Sequence, residues 1–411
     1  MLETMTELSS ITYLDKCLCC GGENLTTVLD LHDQPLANSY LTDKEEAEEF
    51  YPLALNYCND CTHLQLTHGV NPDLLFKNYL YVSGTTQTLK DYFDKFVDIV
   101  TDAMPVDGPY KVLDIACNDG SQLDAFKKHG HQTYGVDPAE NLHDRSSKNH
   151  TVICDYFNEE SVARLGADRY DVIIAQNVFA HNTYPKEFLR VCKDRLSNNG
   201  RLFIQTSQAD MVAYGQFDTI YHEHISFFNV RSMGTLAQQS GMYLENVFKT
   251  DIHGTSYVFV LTTDPKHNNT QSLIDNETKQ TLDVVKKFTD TAIRVVTELK
   301  DELNRHSDSL IVGYGAAAKG NTLLNFGEID LDYIVDDNPL KQGLYTPGRK
   351  IKIVSLDELI KIASNKPIVW VPLSWNFFNE IRERIKNKYH DPTVFIKYFP
   401  NMQVILDENK E

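Results

Sequence analysis

Between about Pro109 and Val260 the chain repeats one pattern, in which short apolar runs alternate with polar stretches of helical character. The runs are YKVLDIAC, HQTYGVD, YDVIIAQNV and GRLFIQT. This alternation predicts an α/β sheet with helices on both faces. No other feature narrows the fold as far.

The rest of the 411 residues must be placed around that sheet, and the length predicts two or three domains. Residues 1–76 are short-patterned and hold five of the eight cysteines. Apolar residues at helical spacing in TLKDYFDKFVDIVTDAM mark a helix leading into the sheet domain, which is taken as 77–265. A polar, helix-prone stretch from about Asn269 to Asp308 reads as a connector. SLIVGYG, LDYIVDD and KPIVWVPL then start a smaller α/β alternation, giving a third domain over 266–411.

Charge limits the partners. With 39 basic and 58 acidic residues the net charge is −19, which repels nucleic acid and anionic membranes but leaves room for a small anionic ligand. MLETMTELSS has no apolar run, and no stretch is long enough to span a bilayer. A cytoplasmic enzyme is the expectation, and the oligomeric state is open.

Cys17 and Cys20 form one Cys-x-x-Cys pair, and Cys58 and Cys61 form another. Two such turns can supply four thiolates to a tetrahedral zinc ion, with no position left for water, so the metal would be structural. Cys19 is an extra thiol that could compete, and buried free cysteines are the plainer alternative.

The segment VLDIACNDGSQLDAF runs from a strand through a small-residue turn into a helix and gathers Asp114, Asn118, Asp119 and Gly120. Gly120 would permit an unusual backbone conformation and close approach of a ligand. About twenty residues on, TYGVD ends in Asp137, placed to accept hydrogen bonds from ribose hydroxyls. Dinucleotide-binding domains share this layout. The turn lacks G-x-G-x-x-G, however, and an acid within it suits the cationic methionine part of S-adenosylmethionine better than a pyrophosphate. Asp155-Tyr156-Phe157 is a weaker candidate for an adenine contact.

Asn177 and His181 follow a strand end, where open α/β sheets carry their functional groups. QFDTIYHEH packs Asp218, Tyr221, His222, Glu223 and His224 into seven residues. In a strand, His222 and His224 would share one face and could hold a metal. No third ligand is evident, so acid–base chemistry explains the cluster better: a base near neutral pKa can remove a proton beside a ketone while donors stabilise the enolate.

These strings resemble the sugar C-methyltransferases of deoxysugar pathways over essentially the whole chain, through the paired Cys-x-x-Cys domain, QFDTIYHEH and GYGAAAKGNTLLN followed by VDDNPLKQGLYTPG. The resemblance implies a class I methyltransferase domain between a zinc domain and a C-terminal α/β domain. It also implies a nucleotide-diphospho-sugar substrate. His224 would be the general base, with Tyr221 and Glu223 positioning substrate or stabilising the enolate. His181 and Asn177 would lie at the methyl-transfer face, and Tyr79 or Tyr81 would close over the cofactor. His222 would touch substrate, while Lys319, Asn321 and Lys341 would meet the diphosphate. Cys117 and Thr255 depart from residues common in the family.

Two other readings stay open. A nicotinamide-dependent reductase or epimerase could use GYGAAAKG as its dinucleotide turn with Asp336 or Asp337 on the ribose. A non-catalytic protein could use the zinc domain as a binding module.

Overall fold

The computed structural model describes residues 10–407 except 77–81, 86, 208–209, 251, 253–255, 279, 365 and 391–392. The central sheet has seven strands. From one edge they are Tyr243–Thr250, Ser256–Thr262, Leu196–Thr206, Tyr170–Gln176, Lys111–Ile115, Gln132–Asp137 and Thr151–Cys154. Ser256–Thr262 runs antiparallel to both neighbours, and the other pairings are parallel. Ile173, Ile174 and Ala175 are consecutive and fully buried, as expected of a strand covered by helices on both faces. The strand order reverses between Lys111–Ile115 and Tyr170–Gln176. The carboxyl ends of these two strands therefore border the crevice where such sheets bind ligands.

The C-terminal part forms a six-stranded sheet in the order Ile353–Val354, Tyr333–Val335, Leu310–Tyr314, Ile368–Pro372, Thr393–Lys397 and Gln403–Asp407. It is parallel except for its last strand. Its order also reverses beside its first strand, so it has a crevice of its own above Tyr314 and Gly315.

The N-terminal sheet is antiparallel and built from Leu25–Gln34, Tyr51–Cys58 and Leu64–Leu66. Its fourth strand, Ser226–Phe227, comes from the central domain and pairs with Gln65 and Leu64. Two residues before that strand stands His224, so the zinc domain's edge fixes where the histidine-rich segment ends.

The stretch read as a connector is structural in a stronger sense. Helix Leu282–Asn304 buries Val285, Phe288, Ala292, Val295, Val296 and Leu299 along one face, against strand Leu25–Gln34. Thr289 Oγ1 donates to Val28 O at 2.6 Å. A buried aliphatic or aromatic side chain contributes roughly 1.5–3 kcal/mol, so this face joins parts rather than spacing them. One apolar cluster accordingly contains Leu55, Phe217, Phe288, Ile334 and Val371, from all three parts of the chain. Residues 36–50 also wrap the C-terminal domain. Leu41 exchanges backbone hydrogen bonds with Tyr345, and Gly348 N donates to Glu48 Oε1 at 2.9 Å. Among the described residues no helix is long and apolar enough to cross a membrane.

Candidate functional site

The two cysteine turns close on one point. Gly21 at φ +79° lets the first turn reverse, with Gly21 N donating to Cys17 O, and Thr62 N donates to Cys58 O in the second. The Sγ atoms of Cys17, Cys20, Cys58 and Cys61 all lie within 4.8 Å of one another, with 3.5 Å between Cys17 and Cys61 and 3.6 Å between Cys20 and Cys58. Zinc–sulfur bonds of about 2.3 Å in a tetrahedron set sulfurs about 3.8 Å apart, so the four fit a zinc ion. Without a cation, hydrogen bonding to Cys17 pushes Cys58 up to about 12. Cys19 is buried but stands outside the group of four. His63 joins this knot to the central domain through Ser226 Oγ at 3.2 Å and through ring contact with Phe228.

At the first turn of the central sheet, Ala116, Asn118 and Gly120 all have positive φ, which bends the chain sharply between strand and helix. Asp137 stands at the tip of the next strand. Its Oδ2 accepts from Asn118 N and its Oδ1 from Ala139 N, both at 2.8 Å, so the acid is locked against the turn. Asp114 lies beneath, and burial beside Asp137 pushes its carboxyl well above the usual range.

Two residues of this turn are engaged within the protein. Asp119 Oδ2 accepts from Gly84 N at 3.1 Å and pairs with Arg145 at 2.9 Å, while Oδ1 accepts from Ser121 N. Together with the bond from Ser83 N to Asn118 Oδ1, it pins residues 83–84 over the turn. A Cβ at Gly120 would sit 3.1 Å from Ser146 Cα, so the glycine serves φ and the packing of helix Glu140–Ser146. Asp155 pairs with Arg164, Tyr156 donates to Asp73 and Phe157 packs on Phe188. Tyr79, Tyr81 and His253 to Thr255 lie outside the described residues.

Asn177 takes φ +55° directly after its strand and donates its N–H to Gln205 O. His181 ends a short 3-10 turn, with its ring between Phe76 at 5.5 Å and His224 at 5.2 Å. Burial pulls its pKa down to about 4, and Nε2 has no hydrogen-bond partner.

QFDTIYHEH is not a strand. Residues Phe217–Thr219 form a 3-10 turn and His224 N closes a second turn on Tyr221 O. The two histidines therefore diverge, and the shared-face metal geometry is absent. His222 is buried, its Nε2 donates to Tyr51 O at 3.2 Å and its ring lies edge-on to Tyr51. His224 Nδ1 lies 2.9 Å from the carbonyl of Thr219, which can only accept, so this nitrogen carries the proton. Nε2 is then the basic nitrogen, and Tyr221 OH donates to it at 2.9 Å. Ser207 Oγ stands 3.3 Å from Nδ1.

Glu223 is buried, and burial raises its pKa to about 7, countered by a hydrogen bond from Asn38 and the charge of Lys341. Lys341 is no surface lysine. It donates to Ala316 O at 2.6 Å and sits 5.0 Å from the Tyr40 ring centre. Lys319 lies over Trp375, whose Nε1 donates to Asp218 Oδ2 at 2.7 Å. Burial pushes Asp218 up to about 6, with Lys319 opposing. Asn321 donates to Ala37 O at 2.7 Å and holds the wrapping segment. Asp336 receives N–H groups from Ala316 and Asn338, repeating the pattern of Asp137. Asn38, Ser207, Tyr40 and Trp375 escaped the sequence reading. Asn38 and Tyr40 lie within a short stretch, ANSY, with no spacing signal, and only folding sets them beside residues 180 or more positions away.

The parallel sheet with one reversed strand and a carboxylate locked at the tip of the second strand defines a methyltransferase domain that binds S-adenosylmethionine. Family models agree: a methyltransferase domain matches residues 82–247, a zinc binding domain residues 17–76 and a C-methyltransferase C-terminal domain residues 251–400. The chain is similar to the C-methyltransferase NovU of Streptomyces niveus, 29% identical over 96% of this chain and 98% of that protein. It is also similar to a ubiquinone biosynthesis O-methyltransferase of Coxiella burnetii, 26% identical over 47% of this chain and 73% of that one. Among solved structures, magnesium protoporphyrin IX methyltransferase from Synechocystis PCC 6803 aligns at 15% identity over 43% of this chain and 79% of its own, with a TM-score of 0.33. The three family models together run through most of the chain, which is a methyltransferase similar to a C-methyltransferase over nearly its whole length.

Proposed function

We propose that this enzyme methylates a carbon, C-3 in the first instance, of a nucleotide-diphospho-4-keto-deoxysugar. The observation that carries the reading is the tautomer of His224. Its Nδ1–H is committed to the Thr219 carbonyl, which leaves Nε2 as a proton acceptor at the mouth of the crevice. A base held in one orientation beside a phenol and a buried carboxyl is what deprotonation next to a ketone requires.

In this reading Asp137 and the turn at Asn118 hold the nucleoside of S-adenosylmethionine, with Asp114 beneath. The cofactor supplies, when bound, an electrophilic methyl group on a sulfonium. Once the Tyr221 hydroxyl turns from Nε2 to the substrate, His224 Nε2 takes the proton from C-3, and the C–H electron pair passes into an enolate whose oxygen is hydrogen-bonded by Tyr221 or by Glu223. A carboxyl whose pKa burial raises to about 7 can be protonated there and donate. That enolate carbon would be the acceptor of the cofactor's methyl group, with the thioether as the leaving group. The stacked His181, neutral because burial lowers its pKa to about 4, gives an uncharged wall to this space. Lys319 and Lys341, at the entrance to the C-terminal crevice, are the cations available to a diphosphate. Both are already engaged within the protein, so they would act mainly through their charge.

The test is incubation with methyl-labelled cofactor and a panel of dTDP-, GDP- and CDP-linked 4-keto-sugars. Label on a sugar carbon, with loss of the C-3 hydrogen, is the expected result. No labelled sugar from any member of the panel overturns the reading.

A further inference from the structure

We propose that Asn38, carried by the zinc-binding domain, is a positioning residue that holds the Glu223 carboxyl for the reaction. This rests on the reading of Glu223 as part of the chemical site. Asn38 Nδ2 donates to Glu223 Oε1 at 2.6 Å, across 185 residues of sequence. The contact is short and charge-assisted when Glu223 is ionised. It also consumes one carboxyl oxygen, so the orientation of the other is set.

The segment that carries Asn38 is not a loose loop. Leu36, Ala37 and Leu41 are buried. Asn321 binds Ala37 O, Tyr40 OH donates to Ala316 O at 2.6 Å, and Leu41 is paired with Tyr345. The Asn38 amide is thus pinned from both sides by the C-terminal domain while it reaches into the central one. Such rigidity is what positions a side chain that never touches the reacting atoms.

The charged and titratable groups around Glu223 come from every element packed on it. Asn38 and Tyr40 belong to the wrapping segment and Lys341 to the C-terminal domain. Lys341 favours the ionised carboxyl by its charge and Asn38 by its hydrogen bond. Asn38 differs from Lys341 in making the direct contact, so it controls geometry as well as charge. The zinc-binding domain then does more than stabilise the fold, because it completes the site.

The test uses the full-length zinc-loaded protein, with Asn38→Ala and the isosteric Asn38→Asp, whose shape keeps the segment packed. Glu223 is titrated directly by its carboxyl infrared band, identified by difference against Glu223→Gln. Zinc content, melting temperature and S-adenosylhomocysteine affinity check the fold. Expected are an upward shift of the Glu223 titration in both variants and a kcat lower by about ten- to a hundredfold, the loss of one hydrogen bond to a charged group. KM and cofactor affinity should stay within about twofold, as expected when geometry and not binding is lost. A Glu223 titration that does not move in either folded variant overturns the proposal, whatever the substrate proves to be. So does a wild-type kcat in both variants. If the titration shifts but no sugar nucleotide is methylated even by wild type, the substrate reading fails and the Asn38–Glu223 linkage stands.

Discussion

Replacing His224 tests the centre of the chemistry, and the structure sets the size of the effect. His224→Ala removes the Nδ1 bond to Thr219 O and the bond received from Tyr221 OH. Lost intramolecular hydrogen bonds cost about 0.5–1.5 kcal/mol each. A domain stable by about 5–15 kcal/mol survives that. The cofactor turn is untouched, because none of the Asp114, Asn118 or Asp137 hydrogen bonds described above involves His224. Folding and S-adenosylhomocysteine affinity should therefore stay near wild type. Turnover should not. Loss of a general base costs about 10²–10⁴-fold, and a carbon acid beside a ketone lies at the harsher end. His224→Gln fills the same space and can still accept from Tyr221, but it cannot take up a proton, so it should be equally inactive. The decisive assay separates deprotonation from methyl transfer. With S-adenosylhomocysteine in place of the methyl donor, wild type in heavy water should exchange the sugar C-3 hydrogen, seen by NMR, and both variants should not. Exchange at the wild-type rate in His224→Ala would refute the assignment and move the base to Tyr221 or His181.

Asp137→Ala removes the acid that both the turn and a ribose would use. S-adenosylhomocysteine should bind ten- to a hundredfold more weakly, from about 1.5–3 kcal/mol per bond to a charged group, and calorimetry giving an unchanged Kd would show the site lies elsewhere. Cys58→Ser opens the thiolate tetrahedron and should release zinc and lower the melting temperature, and metal analysis finding no zinc in wild type would end that account. Glu223 has a folded pKa raised to about 7 from 4.5, so the folded state holds an extra proton between those values and stability falls as pH rises through them. Melting scans should show that fall in wild type and not in Glu223→Gln, and equal slopes would contradict the raised pKa of the buried carboxyl. His222→Ala should lower melting temperature while moving kcat far less than His224→Ala does, because His222 faces Tyr51 and the zinc domain.

How much of this was legible in advance varies with the physics of each part. Backbone turns are local, and so Cys17-x-x-Cys20 and Cys58-x-x-Cys61 announced a four-sulfur site before any contact was known. The strand-and-helix alternation and Asp137 at a strand tip were legible for the same reason, since periodicity and turn geometry belong to neighbouring residues. Side-chain direction was less accessible. Sequence alone does not show that Arg145 and Gly84 engage Asp119. His222 and His224 would share a face only in a strand, and the turn that forms instead gives the two rings different partners.

Sequence alone, then, determined the three-part organisation, the paired cysteine turns and the α/β sheet, all properties carried by local turns and periodicity. Only the tertiary structure decided which of those polar groups meet. The His224 tautomer depends on where the Thr219 carbonyl falls, and the charge of Glu223 depends on Asn38 and Lys341, residues 185 positions before it and 118 after it. Burial decides the strength of these contacts as well. In a site that excludes water, an unpaired or re-aimed polar group has no solvent to compensate it, and a neighbour from another domain sets its protonation.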